Sequence, residues 1–106
     1  MNFESLLCKT YQPNYTCYEF ACEAWQHVAG ENLTERMHDF LNGTGAFIQM
    51  GEPESPCIAF FYRNNKSPTH VGLFIDGRIL HLGFRGAQYA PLDLLMTTFK
   101  EVRFYK

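Results

Sequence analysis

Three residues of this chain have the types and spacing for covalent acyl chemistry. Cys17 stands in Asn14-Tyr15-Thr16-Cys17-Tyr18-Glu19-Phe20, and His70 and His81 stand in the later stretch THVGLFIDGRILHLG. Thr16-x-x-Glu19 is a capping-box pattern, which puts Cys17 in the first turn of a helix. A thiol at a helix N-terminus is expected to be acidified by the helix dipole and by unpaired backbone N–H groups. An imidazole within reach can hold the thiolate as an ion pair and later return its proton. A nucleophile and base of this kind break amide bonds through a thioester.

The two histidines are brought together by a hairpin. Asp76-Gly77 is a strong two-residue turn signal, so Ile75 should pair with Arg78, Phe74 with Ile79, Gly72 with His81 and His70 with Gly83. Side chains alternate along a strand, so His70, Gly72, Phe74, Ile79, His81 and Gly83 share one face. The histidines are then diagonal neighbours, roughly 5–8 Å apart at Cβ. The two glycines beside them leave room for another group. The helix over 16–29 is expected to pack on this same face, its N-terminus over the histidines. Cys17 would then meet His70, and His81 would fix the tautomer of His70 from behind. The backbone N–H groups of Cys17 and Tyr18 would face a developing oxyanion. Tyr11 and Tyr15, just before the nucleophile, read either as cleft-lining residues or as a packed N-terminal arm. Arg85 and Gln88, after the hairpin, read either as contacts for substrate carboxylates and amides or as solvated polar residues.

The elements that must position these residues follow from periodicity and punctuation. A short helical turn is expected near Glu4 to Lys9. Apolar residues at Cys17, Phe20, Ala21, Ala24, Trp25 and Val28 have helical spacing, and Gly30 suits the end of that helix. A second helix is expected from about Leu33 to Leu41, capped by Asn32 and stopped by Asn42-Gly43-Thr44-Gly45. Residues 46–56 read as a loop. Cys57 to Arg63, His70 to Ile75, Arg78 to Gly83 and Phe99 to Tyr105 read as strands, with a polar turn at Asn64 to Pro68. Gly86 to Ala90 reads as a short extended piece and Pro91 to Thr97 as a short helix. Helices first and a meandering antiparallel sheet afterwards give an α+β fold.

The chain has 106 residues, 46% of them hydrophobic, which suits one domain spanning 1–106 with a core that needs no staples. A net charge of −2 gives no case for nucleic acid or for an anionic membrane surface. No apolar run reaches bilayer-spanning length and no secretory signal pattern is visible, so synthesis in a reducing cytoplasm is expected. Of the four cysteines, Cys17 and Cys22 are poorly spaced for a disulfide or a metal, Cys22 and Cys57 read as core, and Cys8 is unassigned. His27 and His38 read as solvated. A zinc site from Cys17, His70 and His81 has no fourth ligand at motif spacing and ranks below the nucleophilic reading. No metal or organic cofactor is expected.

At these same residues the chain resembles the NlpC family of papain-like cell-wall endopeptidases. In that family the nucleophile helix typically opens with Tyr/Phe-Asp-Cys-Ser-Gly, where this chain has Tyr15-Thr16-Cys17-Tyr18-Glu19. The family's base lies in a strand like His-Val-Gly-Ile-Tyr, followed by a turn and a strand ending in His-Ala, where this chain has HVGLFIDGRILHLG. A preceding Pro-Gly-Asp-Leu-Val-Phe-Phe strand corresponds to Pro56-Cys57-Ile58-Ala59-Phe60-Phe61, without the Gly-Asp. The resemblance spans about residues 11–105 and is most specific in the hairpin. It implies a papain-like core with Cys17 as nucleophile, His70 as base and His81 as the third, polar residue. It also implies hydrolysis of peptide bonds in peptidoglycan stems. Thr16, Tyr18 and Glu19 depart from the family pattern at positions that shape the cleft. A wall hydrolase without a signal would fit carriage on a phage tail or delivery to the envelope. A catalytically silent tail-assembly module and a thioester-using acyltransferase are the alternative readings.

Overall fold

The fold is organised by a helix cap and a hairpin turn, and both are visible in the computed structural model, which describes residues 3–44, 47–64 and 66–106. Gly45 of the helix-stop signal, Ala46 of the following loop and Asn65 of the polar turn lie outside the described residues. Helix α1 (Cys17–Ala29) starts where the sequence places it. The Thr16 N–H and hydroxyl donate to Glu19 Oε1 at 2.7 and 2.6 Å, and Thr16 Oγ1 accepts from the Tyr18 N–H at 3.3 Å. Gly30, at φ +70°, ends α1 in the left-handed region that glycine tolerates. A 3₁₀ turn (Glu4–Cys8) precedes α1, and α2 (Thr34–Leu41) follows it, with the Asn32 side chain accepting from the Thr34 N–H at 3.0 Å.

The strands are β1 (Gln49–Met50), β2 (Cys57–Tyr62), β3 (His70–Ile75), β4 (Arg78–Gly83), β5 (Gly86–Pro91) and β6 (Glu101–Tyr105), with α3 (Leu92–Leu95) between the last two. β1 falls within the stretch that the sequence suggests is all loop. The sheet order is β1-β6-β2-β3-β4-β5, and all neighbours are antiparallel. The chain therefore meanders from β2 to β5, then crosses back so that β6 pairs with the free edge of β2. This is an α+β fold in which β2 becomes an interior strand. All six residues of β2 are buried, as its unbroken apolar run requires of a strand covered on both faces.

Two cores follow, one on each face. On one, Phe20, Ala21, Ala24 and Trp25 of α1 pack with Ile58, Phe60, Val71, Leu73, Ile75, Leu80 and Leu82. On the other, Cys57, Ala59, Phe61 and Ile79 pack with Ala90, Leu95 and Phe104, and Phe74 and Phe99 close over them. This corrects the expected packing of α1. By alternation His70 and His81 point to the second face, whereas α1 covers the first. The apolar stripe of α1 needs a continuous branched aliphatic surface. Val71, Leu73, Leu80 and Leu82 supply one; His70, Gly72 and His81 do not. Among the described residues no helix is long and apolar enough to cross a membrane.

The hairpin pairing matches the sequence register from Ile75/Arg78 through Gly72/His81. Asp76 and Gly77 make the turn at φ +50° and +87°. A Cβ on Gly72 would stand 2.8 Å from Ile79 Cγ2 and 3.0 Å from both His81 Cβ and the Leu80 carbonyl oxygen. Gly72→Ala is therefore expected to lower stability by about 1–3 kcal/mol through overpacking, read as a lower urea midpoint at unchanged m.

Candidate active site

Cys17 opens α1 beside the start of β3 and retains 9% of its surface exposure. It lines a cavity of about 480 Å³ together with Tyr11, Tyr18, Arg63, His70 and His81. The cavity therefore collects all three residues picked out as a nucleophile, a base and an orienting group. Burial pushes the Cys17 thiol up; the backbone amide of Val71 counters this, the Glu19 carboxylate adds to it, and the amides of Cys17 and Tyr18 counter it. The net direction is upward. The expected acidification at the helix N-terminus is thus outweighed by desolvation, and the resting form is the thiol.

The paired residues of β3 and β4 end at Gly72/His81. Beyond that point His70 is held by β2, opposite Phe61, while Leu82 and Gly83 continue along β5 opposite Ala87 and Gly86. The expected His70/Gly83 pair lies beyond the last paired residues. The cavity occupies this end of the hairpin, where His70, His81, Leu82 and Gly83 all line it. Cys17, on the face that α1 covers, and the histidines, on the other, both line it there.

The histidine rings bond directly, with His70 Nε2 and His81 Nδ1 3.0 Å apart and the ring planes 88° from parallel. His70 also stacks on Phe99, with centroids 5.4 Å apart and planes within 7°, and leans on Phe61 at 5.9 Å. The Arg63 guanidinium lies over the Phe99 ring at 5.2 Å. Burial lowers His70 to about 4, helped by the neighbouring His81 and Arg63. Burial alone lowers His81 to about 4. Both rings are therefore neutral at pH 7. His70 Nε2 is occupied by His81, so Nδ1 is the ring nitrogen of His70 outside that bond. His81 Nε2 is buried and has no hydrogen-bond partner among the described residues. An orphaned group of this kind costs about 1–3 kcal/mol, as functional sites tolerate and cores rarely do.

The remaining sequence candidates divide. Tyr11 lines the cavity and meets Phe84 edge-on at 4.8 Å. Tyr15 does not line it. The Tyr15 hydroxyl donates to Glu23 at 2.5 Å, and Lys9 completes that cluster with a 3.1 Å ion pair to Glu23. Tyr15 thus ties the N-terminal arm to α1. The Cys17 amide faces its own sulfur, whereas the Tyr18 amide is also engaged by Thr16 Oγ1 at 3.3 Å. Arg85 and Gln88 are exposed and do not line the cavity. Cys57 is buried, Cys22 is half-buried, Cys8 is exposed and none of the four cysteines is in a disulfide.

Sequence reasoning missed Arg63, Thr69, Phe84 and Phe99 as lining residues. Phe84 is 86% exposed at the β4–β5 turn. Phe99 reads as the start of the last strand, yet it precedes β6 and caps His70. Only its position after a short helix that returns the chain to β2 could have hinted at this. No family model, curated protein or solved structure matches the chain.

The depressed histidines generate a pH prediction. Between about 4 and the ordinary histidine value of 6.5, the unfolded chain binds more protons than the folded one. Their contribution to stability is therefore complete above about pH 6.5 and is lost as pH falls toward 4. Urea midpoints should decline over that window, and the His70→Gln, His81→Gln double variant should remove most of the slope.

Proposed function

We propose that this chain is a cysteine hydrolase with an NlpC-type papain-like core, cleaving an amide bond in peptidoglycan stem peptides. The observation that carries the reading is the direct His70–His81 bond at the wall of the cavity that Cys17 also lines. It matches the nucleophile, base and orienter roles of a triad, which are recognised by geometry and not by chain order.

In this reading His70 carries its hydrogen on Nε2, donates it to His81 Nδ1, and takes the Cys17 proton at Nδ1. Because the thiol is raised and the imidazole is neutral, proton transfer accompanies attack. The sulfur adds to the substrate carbonyl, and the carbonyl oxygen takes the negative charge, facing the Cys17 amide and the N-terminal end of α1. The C–N bond then breaks as His70 returns its proton to the leaving amine, which leaves a thioester on Cys17. Water attacks the thioester with His70 again accepting a proton. The acid departs and the thiol is restored. His81 supports the imidazolium that forms transiently at each step.

Purified peptidoglycan digested with the protein should release cleaved stem peptides identifiable by mass. Cys17→Ala should abolish release while shifting the melting temperature by no more than a few degrees. His70→Ala should cost about 10²–10⁴-fold and His81→Ala about 10–100-fold. Equal release by the parent and Cys17→Ala proteins would overturn the reading.

A further inference from the structure

A second cavity, of about 550 Å³, lies between α1 and α2. Its α1 wall is the stripe Tyr18, Cys22 and Gln26, whose spacing puts them on one face of the helix. Its α2 wall is the matching stripe Thr34, Met37 and Leu41. Met37 is buried and Cys22 half-buried, so the floor is apolar, whereas Gln26 and Leu41 are exposed at the rim. Glu19 and Glu23 also stand on the α1 wall, the first bonded to Thr16 and the second to Tyr15 and Lys9. No lysine or arginine lines this cavity. Tyr18 lines it and the Cys17 cavity alike, so the two adjoin at the residue that follows the sulfur. From Tyr18 to Gln26 the helix rises about 12 Å, the length of about three to four extended residues.

We propose that this groove continues the Cys17 cleft and holds about three to four residues of the substrate's peptide chain on one side of the scissile amide. The proposal rests on the hydrolase reading above and adds a binding site to it. A peptide fits because the apolar floor takes small side chains, while the Gln26 carboxamide at the rim can pair with backbone amides. Two carboxylates on the wall, with no lysine or arginine lining the cavity, disfavour a segment that carries its own carboxylate. Tyr18 stands at the crossing between the two parts of the cleft.

Cys22, on the groove wall, is the reporter. The test uses the full chain carrying Cys17→Ala, so that peptides bind without turnover. Iodoacetamide alkylates the thiols: the sulfur displaces iodide, a C–S bond forms and the thiol proton is lost. Rates at Cys22 are followed by peptide mass, with exposed Cys8 as the control, and amide NMR shifts report on each cavity. The probes are a peptidoglycan stem dipeptide and a stem pentapeptide with an amidated or a free-acid C-terminus. At about ten times its dissociation constant, the amidated pentapeptide should slow Cys22 about tenfold, leave Cys8 unchanged and move the amides of both Gly83 and Gln26. The dipeptide should move Gly83 alone, and the free-acid pentapeptide should bind about three- to tenfold more weakly than the amidated one. Gln26→Trp, at an exposed helical position, should weaken the amidated pentapeptide about tenfold and leave the dipeptide unaffected. Pentapeptide binding that moves Gly83 but neither Gln26 nor the Cys22 rate, or equal affinity for the two pentapeptides, would overturn this proposal and leave the hydrolase reading standing. Shifts at neither cavity would overturn both.

Discussion

Two neutral imidazoles sharing one hydrogen bond, His70 Nε2 to His81 Nδ1, are the constraint on which the site depends. Burial keeps both rings uncharged, and the bond commits one nitrogen of His70. The bond forms because β3 and β4 pair as far as Gly72/His81 and no further. His70 is then free to turn its ring toward His81 while β2 and Phe99 hold it from the side. Gly72 is needed for the same reason, since any side chain there would displace His81 and Ile79.

Cys17 comes to line the same cavity as this pair by an indirect route. Helix α1 packs on the aliphatic face of the sheet, and the histidines occupy the other face. The first turn of α1 lies beside Val71, and the cavity at that end of β3 is lined from both faces. The capping box makes that placement firm. Glu19 bonds back to Thr16, so the first turn is fixed and its carboxylate is spent locally. Burial of each group raises the Cys17 thiol and lowers the two histidines. The thiol and the imidazole therefore both rest neutral in the site.

The cavity wall is chemically uneven. Aromatic rings from the N-terminal arm and the β4–β5 turn form one part, and Arg63 with Phe99 forms another. The arm is held in place by backbone as well as by side chains, because the Lys9 carbonyl accepts from the Ala87 N–H at 3.1 Å. Tyr15 reinforces it through Glu23. These contacts shape the cleft without entering it.

Local rules made much of this legible in the chain itself. The capping box, Gly30, Asp76-Gly77 and the unbroken run of Cys57 to Tyr62 each encode their element through short-range sterics and hydrogen bonding, so helix, hairpin and pairing register could be read without coordinates. The common face of His70 and His81 follows from strand alternation alone. Tertiary packing decided the rest. It chose the face that α1 covers, returned β6 to the edge of β2, brought Phe99 and Arg63 to His70, and drew Tyr15 away to Glu23. It also reversed the direction of the Cys17 shift, because desolvation depends on everything that surrounds a group. A sequence records its neighbours along the chain, whereas burial and cross-sheet contacts are sums over residues far apart in it.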